Sequence, residues 1–364
     1  YSMFTVLCIT ICFLKTRGQM YSEDKNITKS YSVNSSTTVE ITNKYGKIHI
    51  MPWNEDSVHI QVNMQIKSNS ISRLSRTRQN IDFEFTNTGY FITAKTIFSS
   101  DYTSGNLISE IKQLTNEITE AISGTENQVR INYTVKLPDY VNLIINNKYG
   151  DVYVNDLKGD FNLILSNGNF KANDLSGNSE IELKFGDASV NSLNTGKITI
   201  AYSDFRIKNA DQLTFDSKSS EISIDKINVL KVQSKRDKFY VTRLDFLYGE
   251  TFFSDIWIYN HFKEASFKMR YGNLNMEMIS NKFKFINLTS KYTDINLFFE
   301  RGSSYRIDLT HNDVVFHYPK DKAKLENQAL NDDEILTFGR IGEGEEKSKV
   351  KINAEECNLQ IIHK

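Results

Sequence analysis

One pattern constrains this chain more than any other. The segment Asn147-Lys148-Tyr149-Gly150-Asp151-Val152-Tyr153-Val154 reads as a tight turn feeding a strand, and it returns eighteen residues later as Ser166-Asn167-Gly168-Asn169-Phe170-Lys171-Ala172. With the glycine as reference, equivalent positions fall at Gly150, Gly168, Gly186, Ser203, Ser220, Asp237, Ser254, Gly272, Thr293 and Asn312, spaced 18, 18, 17, 17, 17, 17, 18, 21 and 19 residues apart. Two and four residues beyond each reference the chain is almost wholly apolar, from Val152/Val154 and Phe170/Ala172 to Ile295/Leu297 and Val314/Phe316. The strand before each turn alternates as well, as in Phe161, Leu163 and Leu165. Asn43 to Ile50 is an earlier copy, and a final one is expected at Cys357, as a closing rung whose charges cap the stack.

A 17- or 18-residue unit cannot bury two apolar columns alone. Stacked units bury them against one another. The expected fold is therefore all-β: a β-solenoid, a right-handed β-helix of 17- to 18-residue two-strand rungs. An up-and-down meander of hairpins is the other arrangement that fits. The position-by-position match of successive units favours the solenoid. With only 3 prolines and 12% aromatic residues, the composition suits strands joined by short polar turns.

Two segments depart from the pattern. Leu107, Ile111, Leu114, Ile118 and Ala121 or Ile122 fall at helical spacing, so residues 106–122 read as one inserted amphipathic helix. Residues 320–349, with Asp332-Asp333-Glu334 and Gly342-Glu343-Gly344-Glu345-Glu346, read as a charged, turn-rich insertion. At the start, the apolar run of residues 3–14 is too short to span a bilayer and fits the centre of a secretory signal peptide. No basic stretch precedes it, so the peptide, residues 1–18, reads as truncated. The expected organisation is thus signal peptide 1–18, an N-terminal β region 19–136 carrying the helix, and solenoid repeats 137–364. Removal of the signal peptide takes Cys8 and Cys12 with it and leaves Cys357 alone, with no disulfide framework.

The 147–154 motif, the links Asp156-Leu157-Lys158-Gly159 and Asp174-Leu175-Ser176-Gly177, and the Val129-to-Pro138 lead-in resemble the bacterial putative-adhesin family, a domain-of-unknown-function group of exported β-solenoid proteins. The resemblance covers roughly residues 30 to 364, apart from 106–122 and 320–349. It implies the fold and an exported, adhesin-like protein, and it supplies no catalytic residues to carry over.

Chemistry is sparse. The residue after each reference is mostly acidic, as at Asp151, Asp187, Asp204, Asp255 and Asp294. Such a row reads either as a Ca²⁺-binding or catalytic ladder or as turn residues bonding local amides. Lys238 and two asparagines interrupt it, which favours turns. Three residues past the reference, Tyr153, Tyr240 and Trp257 face solvent, with Tyr240 and Trp257 as vertical neighbours. Exposed aromatics of this kind stack on sugars or anchor a protein partner. His49, His59, His261, His311, His317 and His363 form no metal-ligand spacing, and no nucleophile elbow, phosphate loop or dinucleotide fingerprint occurs. A net charge of −1 offers no field for nucleic acid.

The reading is a non-enzymatic exported module without cofactor or metal and without a membrane span in the mature chain. It serves binding or scaffolding in the periplasm, on the outer-membrane surface or outside the cell, with a glycan or an envelope protein as partner. The rivals are a polysaccharide-cleaving β-helix lyase or hydrolase and an envelope signalling or assembly protein acting through helix 106–122.

Overall fold

The computed structural model describes residues 20–99 and 127–364; the expected signal peptide and helix 106–122 lie outside them. The chain forms two compact units. The described part of the smaller comprises residues 20–25, Met64–Asp82, 97–99 and 127–130. It carries a short α-helix, Ile71–Gln79, that the periodicity does not announce, because only Leu74 of its residues is buried. Its limits are set locally: the Ser70 side chain accepts from the Arg73 amide, and Arg76 and Arg78 sit in the last turn.

The larger unit, Asn26–Asn63, Phe83–Thr96 and Ile131–Lys364, is solenoid-like. Its repeats pair in parallel at the repeat's own offset: Phe161 sits beside Ser179, Phe170 beside Ala188, Asp187 beside Asp204, and Glu221 beside Lys238. Like residues therefore stack on like. Val152, Phe170, Ala188, Phe205, Ile222, Phe239, Ile256, Leu274 and Ile295 form one buried column. Burying each large member stabilises the fold by roughly 1.5–3 kcal/mol. A hairpin meander would have paired these strands antiparallel.

Eleven rungs turn on a residue in the left-handed region, the one immediately before the reference; in the Asn312 copy it is Asp313, one residue after, with φ 48°. Tyr45, Tyr149, Asn167, Phe185, Tyr202, Ser219, Arg236, Phe253, Tyr271, Tyr292 and Glu356 have φ between 51° and 66°. For residues other than glycine this costs on the order of 1 kcal/mol each. The glycines that follow answer a different need. A Cβ on Gly168 would lie 2.2 Å from the Gly150 carbonyl oxygen, and one on Gly150 would lie 1.9 Å from that of Gly46. Where serine or aspartate replaces glycine, the preceding rung presents an N–H instead. Ser220 Oγ accepts from the Ser203 amide at 3.3 Å, Asp237 Oδ1 from the Ser220 amide at 2.7 Å, and Ser254 Oγ from the Asp237 amide at 3.1 Å.

At both ends the spatial order departs from the sequence order. Thr38–Lys44 lies between Asn142–Lys148 and Phe91–Phe98, so a later segment stacks outside the first motif copy. At the other end Ser348–His363 inserts between Phe285–Phe299 and Tyr305–His317. The Cys357 copy is thus an interior layer and not the closing rung. Its register puts Val314, not Asn312, beside Cys357. The stretch expected as a turn-rich insertion contains two strands, Ala323–Ala329 and Ile335–Ile341, that pair antiparallel with each other and extend Tyr305–His317. Ala323–Ala329 has no buried residue, so it carries no alternation to read. Its Lys324 and Glu326 suit an edge strand that must not recruit another sheet.

Candidate binding face

The acidic row resolves into individual hydrogen bonds. Asp151 Oδ1 accepts from the Asn169 amide at 3.1 Å, and Asn169 Oδ1 accepts in turn from the Asp187 amide at 3.0 Å. Asp255 accepts from Asn273 Nδ2 at 2.7 Å, and Asp294 accepts from the Asn358 amide and Nδ2, both at 3.0 Å. These side chains tie one rung's corner to the next, as turn residues do. Among the described residues no group of three or more His, Cys, Asp or Glu is gathered to hold a metal ion. Asp151→Ala is expected to cost about 1 kcal/mol, and added Ca²⁺ to leave the wild-type melting temperature unchanged. A rise of several degrees with Ca²⁺ would return the row to a cation site.

The column three residues past the reference runs Tyr153, Lys171, Ser189, Arg206, Ser223 and Tyr240 in successive parallel pairs. Because residues alternate across a strand, the column lies opposite the buried one and faces out. Tyr240 and Trp257 meet as expected, with ring centroids 4.9 Å apart and planes within 11°. Both are half-buried. Tyr153 stands apart from them: five strand spacings, roughly 24 Å, separate it from Tyr240. It packs edge-on to His49 at 6.1 Å, and its hydroxyl donates to Asp151 at 3.1 Å. Between the two aromatic positions runs a groove of about 590 Å³ lined by Tyr153, Lys171, Ser189, Arg206 and Ser223. The face therefore carries a polar floor with two cations, an aromatic at one end and a stacked pair beyond the other. It offers ring stacking and hydrogen-bond donors.

Two features escape a reading by columns. His261 is fully buried in an otherwise apolar column, and neither ring nitrogen meets a partner in hydrogen-bond geometry. Burial pushes its pKa down to about 4, opposed only in part by the Asp245 charge and the Leu244 backbone. The left-handed corner residues form a second aromatic line, whose signal was the recurring triplet Lys-Tyr-Gly at 44–46 and 148–150, Lys-Phe-Gly at 184–186 and Arg-Tyr-Gly at 270–272.

No family model matches the chain, and no curated protein matches it. Solved structures do. One, described as a putative cell adhesion protein from Clostridium sporogenes, is 10% identical over 94% of this chain and 100% of its own, with a TM-score of 0.19. A putative adhesin from Parabacteroides distasonis is 10% identical over 74% of this chain and 93% of its own, with a TM-score of 0.33. A third, described as a putative lipid binding protein from the same organism, is 10% identical over 92% and 96%, with a TM-score of 0.22. Among the described residues no helix is long and apolar enough to cross a membrane.

Proposed function

We propose that this chain is a non-enzymatic, adhesin-like binding module that works outside the cytoplasm, built as a right-handed β-solenoid and engaging a glycan through the face that ends in Tyr240 and Trp257. The stacked pair carries the reading: two rings 4.9 Å apart on a half-open face are a platform for the apolar side of a sugar. The neighbouring groove supports it, because Lys171, Ser189, Arg206 and Ser223 supply hydrogen-bond donors where hydroxyl groups of a bound chain would lie. The motif resemblance at 147–154 supports export and an adhesin-like role.

The test is glycan-array binding followed by titration calorimetry on the best hit. Trp257→Ala is expected to weaken binding about tenfold or more, with Tyr240→Ala close behind and the melting temperature within a few degrees of wild type. Equal binding by wild type and Trp257→Ala would reject this face. Cleavage of a bound polysaccharide by the purified chain would reject the non-enzymatic reading.

A further inference from the structure

The groove beside the stacked pair runs between two ridges. One is the column Tyr153, Lys171, Ser189, Arg206 and Ser223. The other stands two residues further along the chain, at Asn155, Asn173, Asn191, Lys208 and Asp225. Residues two apart on a strand share a face. Between the ridges lie Val154, Ala172, Val190 and Ile207, whose side chains are buried, so the groove meets only their backbone.

These ridges fix the dimensions. Across the groove they are two residues apart, roughly 7 Å. Along the stack the first ridge passes from His49 through Tyr153 to Ser223, five strand spacings or roughly 24 Å. Ser223 pairs with Tyr240, and Tyr240 stacks on Trp257. Tyr259, 46% exposed, stands two residues past Trp257, where it continues the second ridge. The long axis of the groove is thus the axis of the stack. From Tyr153 to Trp257 it spans six spacings, roughly 29 Å, and ends in aromatic rings.

A trough so narrow takes one unbranched chain running along the stack. An extended peptide would gain no backbone pairing here, because the strands beneath the groove are already paired on both sides. The groups on each ridge recur once per rung, about 4.8 Å apart. Sugars joined through equatorial bonds repeat at nearly that distance, so each rung meets one sugar. The polar side chains suit hydroxyl groups. Asn155, Asn173, Ser189 and Ser223 make no side-chain hydrogen bond among the described residues, and each can both donate and accept. Charge selects nothing: Arg206 is paired with Asp204 at 3.4 Å, and Lys208 lies beside Asp225 of the next rung.

We infer that the ligand is an uncharged, linear, equatorially linked polysaccharide lying along the stack, with one sugar on each rung from Tyr153 to Trp257 and with Asn155 and Asn173 reading its hydroxyl groups. This rests on the reading of the face as a glycan site.

The probes are β-1,4-linked oligosaccharides of glucose, mannose and xylose, three to nine units long, titrated calorimetrically against the full chain. β-1,4-linked mannuronate oligomers serve as the charged counterpart of the mannose series. For at least one neutral series, affinity is expected to rise with each added unit up to about seven, by about a hundredfold in all, and then to level off. Mannuronate should bind no better than mannose. Asn155→Ala combined with Asn173→Ala should weaken the seven-unit chain about tenfold and leave the trisaccharide unchanged, since that is seated at Tyr240 and Trp257. A trisaccharide bound as tightly as the seven-unit chain, with Trp257 still required, would overturn this inference and leave the glycan reading standing. Tighter binding of mannuronate, binding confined to branched or α-linked glycans, or a seven-unit affinity that the asparagine variant does not alter would do the same. A chain that binds no glycan at all would overturn both.

Discussion

Gly168→Ala is expected to lower the unfolding free energy by about 3 kcal/mol, among the largest losses any single methyl can cause here. The new Cβ would stand 2.2 Å from the Gly150 carbonyl oxygen and 2.7 Å from its carbon. Both are backbone atoms, so no side chain can swing aside. Relief requires separating the two rungs, which stretches the parallel bonds on either side of the corner. Gly150→Ala should be as severe, with 1.9 Å to the Gly46 oxygen. Gly89→Ala is the control. That glycine has φ +88° with nothing within 4 Å of a new Cβ, so only the left-handed cost of roughly 1 kcal/mol applies. Ser203→Gly should also be mild, because it removes a hydroxyl that accepts the Gly186 amide at 3.4 Å and creates no clash. Chemical denaturation of the four variants checks the ranking. Gly168→Ala falling within 1 kcal/mol of wild type would mean that the rungs are not packed backbone to backbone.

The second large effect is loss of stability in mild acid, traced to His261. Its pKa falls from the ordinary 6.5 to about 4 in the folded chain, because burial penalises the charged ring. Well above pH 6.5 the ring is neutral in both states, so no proton-linked penalty applies. As the pH drops from 6.5 towards 4, the unfolded chain takes up a proton that the folded chain refuses, so stability falls by roughly 3 kcal/mol over that window and levels off below it. His261→Leu should remove this component. Leucine suits the site, since Leu157, Leu175, Leu193 and Leu244 hold equivalent places in the column. It should also raise stability at pH 7, because two buried nitrogens without partners disappear. The measurement is the difference in unfolding free energy between wild type and His261→Leu from pH 7.5 to 4. A difference that stays constant across that range would show that His261 protonates freely in the fold.

The second effect comes from a place where one member of a column differs from the rest, and such places were only partly legible. The apolar columns were plain in the sequence, because a stack buries the same side of every unit and selection for burial repeats with the unit. The pairing of Tyr240 with Trp257 followed from the same arithmetic. Tyr153 shared their column on paper, yet it stands five rungs away, because membership of a column says nothing about distance along it. The Asp151 and Asp187 row was readable as turn chemistry but not as individual bonds, since each bond depends on which way the preceding peptide faces. The same peptide orientation decides why Gly168 cannot be serine while Ser203 can.

The sequence by itself determined the repeat, its period and the buried columns, because all of these are local or recur at a fixed spacing. Only the tertiary structure decided the order of the layers. It placed Ser348–His363 inside the stack and Phe91–Phe98 outside the first motif copy. Parallel pairing is satisfied by any neighbour with matching columns, so the pattern alone is indifferent to which rung stands beside which. The order of the layers therefore leaves no periodic trace in the sequence.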